Sequence, residues 1–187
     1  MIKELFICLA LLDMNGVVNQ ENICDNMKNI SKISQKYKIE SDLYVSMLWV
    51  ESNFNTNIVS YTGKACGISQ VVPKWTRPKM SCKELNMNTV AAMEQGARIY
   101  SIFKRYGGKD LRTTLCAYNQ GYRCKGEKPP KNPGDFDPEK TGKVYASKVI
   151  KFRKRLRKNI RKQRKKFNIY KNKLRRALNS IMVYNKP

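Results

Sequence analysis

The chain has 187 residues, with 38 Lys and Arg against 14 Asp and Glu, no His, and a formal net charge of +24. Such a length accommodates one domain with a substantial core and an appendage, because a domain of about 150 residues buries close to 70% of its unfolded surface. The absence of histidine from the sequence excludes histidine general bases, Ser-His and Cys-His nucleophile pairs, and histidine metal ligands. The chemistry that remains is that of carboxylates.

The N-terminal segment, residues 1–22, begins with a short apolar run. Eight apolar residues at positions 5–12 follow Lys3 and Glu4 and end at Asp13. The run is too short to span a bilayer and fits the hydrophobic region of a secretory signal, although no clear A-x-A cleavage site follows. We therefore expect either export to the periplasm or cell envelope, or a buried N-terminal helix.

Six cysteines favour an oxidising compartment without establishing it, because disulfides persist only there. Cleavage of the N-terminal segment would remove Cys8 and leave an odd number. The others lack the paired C-x-x-C spacing of a zinc site, so neither a metal nor a cofactor is predicted. These others are Cys24, Cys66, Cys82, Cys116 and Cys124.

Apolar residues at helical spacing predict four helices in the first two thirds of the chain. They cover residues 26–37, a stretch from Ser41 through Glu51, residues 89–106, and a stretch from Asp110 to near Gly121. The intervening residues 55–75 are rich in Gly, Ser, Thr and Asn and predict a loop or small β-hairpin. Residues 125–140 predict a long loop.

From Thr141 to about Asn185 the pattern changes to a single long amphipathic helix. Apolar residues recur every three or four positions from Tyr145 to Tyr184. The last 48 residues carry 19 Lys and Arg and no acid. Unbroken, such a helix is about 60 Å long, more than the diameter of the preceding domain. It must project, fold back or find a partner.

Glu51 lies in a mostly apolar helix, and no other Asp or Glu occurs between it and Lys83. Burial raises the pKa of a carboxyl, so such a glutamate stays protonated near neutral pH and can act as a general acid. Glycoside hydrolysis normally needs a second carboxylate. One carboxylate suffices when a hydroxyl of the same sugar attacks the anomeric carbon. The glutamate then first donates a proton to the glycosidic oxygen and afterwards removes the proton of that hydroxyl.

Four motifs in the correct order make the chain resemble the lytic transglycosylases of the SLT type, relatives of goose-type lysozyme, over roughly residues 25–156. The family pattern is a helix ending in Glu-Ser, a TGAxGLMQ-like loop, an AYNxG helix and a closing Tyr-x-x-x-Val helix. The matching stretches are Glu51-Ser52, Thr62 to Gln70, Ala117 to Gly121, and Tyr145 with Val149.

The resemblance implies cleavage of the β-1,4 bond between N-acetylmuramic acid and N-acetylglucosamine in peptidoglycan, leaving a 1,6-anhydromuramyl end. It implies that Glu51 is the acid and then the base, and that Ser52 orients it or the N-acetyl group of the substrate. The remaining implied contacts are Gln70 with the glycan, Asn119 with sugar or with the loop that it holds, and Tyr118 with the catalytic carboxylate. The resemblance also implies Tyr145 from the closing helix, and Gly63 and Gly67 at the cleft.

Two positions depart from the family pattern. Ser69 stands where the family usually has Met, so an apolar wall of the cleft is expected to be lost and the contact of Ser69 with substrate to differ. Cys66 and Cys116 lie inside or beside the motifs, where a disulfide between them, or to Cys82 or Cys124, could brace the cleft. The sequence does not choose among these pairings.

Three partners fit the basic tail: an anionic membrane or envelope polymer, nucleic acid, or another protein docked on the apolar stripe. A solvated helix face explains part of the charge but not the complete absence of acids. The small catalytic domain with one accessory helix resembles specialised wall-piercing enzymes of secretion systems, conjugation machines or phage particles, and carriage in a phage particle is an alternative to export.

The prediction is thus a mainly α, lysozyme-like domain over residues 23–156 with a small β-hairpin at its cleft, followed by a basic helical extension over 157–187. The predicted activity is that of a lytic transglycosylase. One alternative is a goose-type muramidase, with Asp42 and Glu84 as the nearest carboxylates in sequence. The other is a non-catalytic module that binds peptidoglycan and assembles through its tail.

Overall fold

The computed structural model describes residues 2–107, 110–121, 124 and 138–184. The described part is mainly helical, as predicted. Its elements in chain order are α1 Ile2–Leu12, α2 Gln20–Asp25, α3 Met27–Lys36, α4 Ser41–Ser52, a 3-10 turn at Pro73–Trp75, α5 Cys82–Met87, α6 Thr89–Gly107, α7 Leu111–Gln120 and α8 Pro138–Tyr184.

Helix α4 is the central helix of the core. Apolar residues surround its axis, and Leu43, Tyr44, Val45, Met47 and Leu48 are all buried. A helix that is apolar all round belongs inside a protein, where neighbours can cover every face. Helices α3 and α8 both pack against it. Glu51 lies in the last turn of this helix, so it is positioned by an element of the domain interior.

Helix α8 packs its first half on the domain and is exposed over residues 164–176. Its buried stripe runs through Tyr145, Val149, Phe152, Leu156 and Ile160, at the spacings predicted from the sequence. The Phe152 ring stacks on Trp49 of α4 at 4.2 Å between centroids. The stripe continues past residue 157, where the sequence-based domain boundary was placed.

An ion cluster fastens α8 to the start of α4. Arg153 bridges to Asp42 at 3.1 Å and to Glu40 at 2.7 Å. Arg157 reaches the same two carboxylates, at 2.6 Å for Glu40. These arginines lower the pKa of the Asp42 carboxyl even though its burial opposes the charged form. Asp42 thus has a structural role, which is to hold α8 against the start of α4.

Helix α1 is part of the core. Phe6, Ile7, Ala10 and Leu11 are buried, and the Phe6 ring meets Phe167 of α8 edge to face at 5.6 Å. This is the packing expected of the buried-helix alternative, and export stays a prediction. None of the described helices has a stretch both long and apolar enough to cross a membrane.

We expect Leu11→Ala to lower the free energy of unfolding by about 2–4 kcal/mol, because a fully buried leucine leaves a cavity. The neighbouring Leu12→Ala is the matched control, since Leu12 is 64% exposed and its loss should cost less than about 0.5 kcal/mol. Urea unfolding of both variants measures the difference. Equal stabilities would mean that α1 does not fold with the domain in solution.

The segment between α4 and α5 has little regular structure, and the predicted β-hairpin is not confirmed. It forms two isolated antiparallel bridges, Val59 with Cys66 and Cys66 with Val71, and no sheet occurs among the described residues. The backbone turns at Gly67 and Gln70, both with positive φ, so no ladder can continue. A disulfide from Cys66 to Cys82 ties the segment to α5 instead.

Helices α3, α4, α6 and α7 lie where the sequence predicted them. Asp110 caps α7 by accepting bonds from the backbone N–H groups of Arg112 at 3.1 Å and Thr113 at 2.9 Å. A second disulfide joins Cys116 of this helix to Cys124. Of the predicted loop 125–140, residues 138–140 instead begin α8, and the rest lies outside the described residues.

Candidate functional site

The chain reverses direction immediately after Glu51. Asn53 and Phe54 both have positive φ, and the Phe54 side chain is completely buried. Two side-chain amides hold this reversal: Asn19 Nδ2 donates to the Asn53 carbonyl at 3.1 Å, and Asn22 Nδ2 to the Phe54 carbonyl at 3.0 Å. Sequence reasoning missed both asparagines, because nothing local marks a contact more than 30 residues away.

A tight turn over residues 66–71 lies against the end of α4. Cys66 and Val71 exchange two backbone hydrogen bonds of 3.0 Å, and the Gly67 N–H donates to the Ile58 carbonyl at 2.9 Å. Gln70 Nε2 donates to the Gly67 carbonyl at 2.9 Å and lies 3.3 Å from the Ile58 carbonyl. The Gln70 amide therefore supports the turn in the free protein, and its contact with glycan stays a prediction.

Ser52 joins α4 to this turn. Its Oγ lies 2.9 Å from the Ile68 carbonyl and 3.1 Å from the Leu48 carbonyl. Both partners are backbone oxygens, so the hydroxyl holds the turn at a set distance from the last turn of α4. Through that contact Ser52 positions the segment that faces Glu51.

Ser69 is fully buried, which leaves its side chain no surface for a ligand. Its hydroxyl lies 3.4 Å from the Tyr44 hydroxyl. A Cβ added at Gly96 of α6 would come within 2.6 Å of the Ser69 Cβ. The small serine thus fits against the backbone of α6, and the direct substrate contact predicted for its side chain would require the turn to move.

Three tyrosines lie near the Glu51 carboxyl, since its charge is among the causes that raise the pKa of each hydroxyl. Tyr118 donates its hydroxyl to the Ser69 carbonyl at 3.1 Å, Tyr44 donates to the Met93 carbonyl, and Tyr145 stacks near Tyr118 with 6.2 Å between ring centroids. Burial, and then the charge of Glu51, raise the pKa of the Tyr118 and Tyr145 hydroxyls well above the usual value. All three phenols therefore stay neutral and can donate hydrogen bonds. Of the three, Tyr44 was not predicted as a site residue.

Burial raises the pKa of Glu51 to about 8. The Tyr145 hydroxyl, which approaches the carboxyl without reaching regular hydrogen-bond geometry, partly offsets this by stabilising the charged form. The Glu51 residue as a whole is half-buried, so part of its surface is exposed to solvent. With its raised pKa, the carboxyl is protonated at neutral pH.

Neither carboxylate proposed for a hydrolytic reaction is placed to assist Glu51. Asp42 is nine residues earlier on α4, a rise of about 13 Å, and its oxygens are engaged by two arginines. Paired glycosidase carboxylates stand roughly 5–9.5 Å apart. Glu84 accepts from the Ser81 backbone N–H at 2.7 Å in a capping box that starts α5. The structure gives both a structural task.

Asn119 and Gly67 are the remaining residues predicted to contact substrate. Asn119 is partly exposed near the end of α7 and accepts from the Gln120 side-chain amide. Gly67 packs under α5, where an added Cβ would lie 2.7 Å from the Leu85 carbonyl oxygen. The residues described include no cluster of three or more metal-ligating side chains. The site is built from one carboxyl, neutral tyrosines and a braced turn.

Comparison with protein-family models matches residues 28–140 to the transglycosylase SLT domain. The matched range covers more than half of the chain and contains Glu51, the 66–71 turn and Tyr118, but not Tyr145. No curated protein matches the chain.

Proposed function

The chain belongs to the SLT family of lytic transglycosylases, lyases that cleave glycosidic bonds of peptidoglycan, and from this premise we propose that Glu51 alone serves as acid and then base. The proposed bond is the β-1,4 bond between N-acetylmuramic acid and N-acetylglucosamine. The observation that carries the proposal is the Glu51 carboxyl itself, with its pKa raised to about 8 beside neutral tyrosines.

In the first step the Glu51 carboxyl donates its proton to the glycosidic oxygen. The bond from that oxygen to the anomeric carbon of the muramyl sugar breaks, and the N-acetylglucosamine leaves with a free hydroxyl. Glu51 becomes a carboxylate, which offsets the positive charge developing on the sugar ring. The Tyr145 hydroxyl stabilises that carboxylate, because it favours the charged form of Glu51.

In the second step the Glu51 carboxylate takes the proton from the C6 hydroxyl of the same muramyl sugar. The C6 oxygen then bonds to the anomeric carbon, and a 1,6-anhydro ring forms. The proton returned to Glu51 restores the starting enzyme, and no water is consumed. A water-holding second carboxylate is not required, in agreement with the positions of Asp42 and Glu84.

We also propose delivery to the cell envelope, where the substrate lies. Two disulfides, Cys66–Cys82 and Cys116–Cys124, support this proposal because such bonds persist in oxidising compartments. A signal segment or carriage by a phage or secretion machine would both achieve the delivery.

The test is mass spectrometry of muropeptides released from purified peptidoglycan in heavy-oxygen water. We expect muramyl ends lower in mass by one water than reducing ends, and no heavy oxygen in the product. Reducing ends carrying heavy oxygen would replace the proposal with the muramidase alternative. Absence of any release would favour the non-catalytic binding module. Glu84→Gln is the matched carboxylate control and should give the same products as the unmodified chain.

A further inference from the structure

The second half of α8 has a stretch that is exposed at every residue. We call residues 164–176 the tail segment; all thirteen are exposed and helical. At its beginning Phe167 meets Phe6 of the domain edge to face, and the Arg164 guanidinium lies over the same ring at 5.6 Å. Residues 168–176, which follow Phe167, are all exposed.

The tail segment combines dense positive charge with large exposed apolar side chains. It contains no acid, and its seven cations are Arg164, Lys165, Lys166, Lys171, Lys173, Arg175 and Arg176. Phe167, Ile169, Tyr170 and Leu174 are 46%, 57%, 75% and 63% exposed. Exposed charge is ordinary on a helix, whereas this much apolar surface among cations needs a partner.

Three of the four apolar residues are arranged along one face, and Ile169 lies on the opposite one. Phe167, Tyr170 and Leu174 are three and four positions apart, so they share one side of the helix, and the cations occupy the rest of its circumference. An aromatic and aliphatic stripe flanked by Lys and Arg is the pattern of a helix that lies in the plane of a membrane interface. The stripe enters the acyl boundary while the cations meet anionic headgroups.

Charge and the apolar stripe together discriminate among partners. Nucleic acid would engage the cations but leave Tyr170 and Leu174 in water. A second copy of the tail would bring like charges together, because no acid occurs after Glu139. An anionic bilayer satisfies both properties at once.

We propose that the tail segment is an interfacial anchor that binds the surface of a bilayer containing anionic phospholipid. The part of the tail segment beyond Phe167 contacts the surface, with Tyr170 and Leu174 inserted and the neighbouring cations at headgroup level. This inference does not depend on the Glu51 mechanism, because it rests on a different part of the molecule.

The experiment is co-sedimentation of the full chain with vesicles of phosphatidylglycerol and phosphatidylcholine, beside vesicles of phosphatidylcholine alone. We expect binding to the anionic vesicles at least tenfold tighter. The double variant Tyr170→Ser with Leu174→Ser should bind anionic vesicles at least tenfold more weakly. The control Tyr61→Ser with Met87→Ser removes two apolar side chains elsewhere that are even more exposed, 107% and 77%, and should bind normally.

Duplex DNA in the same assay separates lipid from phosphate binding. The Tyr170→Ser, Leu174→Ser variant should retain its DNA affinity within about twofold, because its cations are unchanged. Equal vesicle binding by this variant and the unmodified chain would overturn insertion. Binding to DNA without binding to anionic vesicles would overturn the proposal in favour of nucleic acid. Circular dichroism of each variant verifies that the helix is intact.

Discussion

Replacing Glu51 with Gln is expected to lower the rate of glycan cleavage by roughly 10²–10⁴-fold, the usual contribution of a general acid and base. The amide occupies almost the same volume and cannot deliver a proton to the glycosidic oxygen. The measurement is the initial rate of muropeptide release at pH 6. Glu84→Gln, an exposed carboxylate outside the site, should keep its rate within about twofold. Retained activity in Glu51→Gln would require a different acid.

The pH dependence of kcat/KM in the unmodified enzyme should follow the ionisation of Glu51. Since the pKa of Glu51 is raised to about 8, kcat/KM should be level below that pH and fall about tenfold per pH unit above it. Tyr145→Phe removes a hydroxyl that lowers this pKa, so the descending limb should move to higher pH. A descending limb near pH 5, or one unmoved by Tyr145→Phe, would contradict the assignment.

Stability provides an independent check on Glu51→Gln. A pKa of about 8 in the folded protein lies above the unfolded value near 4.5, so the folded state holds the extra proton between these pH values. The contribution of Glu51 to the free energy of unfolding therefore falls as pH rises through that window. The glutamine variant does not ionise and should be more stable at pH 8, by about 4 kcal/mol. Loss of activity without loss of stability excludes misfolding.

Gly67→Ala is expected to lower the free energy of unfolding by about 3–5 kcal/mol, through left-handed backbone strain and crowding. The residue has φ +71°, and an added Cβ would lie 2.7 Å from the Leu85 carbonyl oxygen, a backbone atom that cannot rotate away. Displacement of the turn should also misplace Ile68 and Ser69 beside Glu51, so glycan cleavage should fall as well. Thermal unfolding and the muropeptide assay measure the two effects.

Gly63→Ala is the matched control. Gly63 also has a positive φ, +67°, but nothing lies within 4 Å of an added Cβ. It should lose only the backbone contribution, about 1–2 kcal/mol. If both variants lost the same stability, the contact of Gly67 with Leu85 would have no energetic weight.

Most helices were predictable because their signals are local. The repeat of apolar residues and the Asp110 cap are each contained within a few residues of sequence. The burial of the Glu51 carboxyl was predictable for the same reason, since a carboxyl in a mostly apolar helix has apolar neighbours, and its catalytic role stays a prediction. Helix α5 was missed although Ser81 and Glu84 form a capping box, because only six residues follow its start.

The finer features of the site depend on contacts between distant segments. The pairing of Cys66 with Cys82 was one of several that the sequence allowed. The hydrogen bonds of the Ser52 and Gln70 side chains to backbone carbonyls of the turn could not be predicted, because they depend on how the turn folds and packs against α4. The predicted hairpin is not confirmed, because too few β-prone residues lie between the turns to form paired strands.

Helix α8 contributes Tyr145 at the Glu51 carboxyl and Tyr170 in the tail segment, and its backbone is continuous between them. Twenty-five residues of helix correspond to a length of about 37 Å. A continuous helix resists bending, so α8 sets the distance between Tyr145 and Tyr170. Any surface to which the tail attaches would hold Glu51 within that reach, and under the proposed mechanism glycan strands lying farther away would not be cleaved.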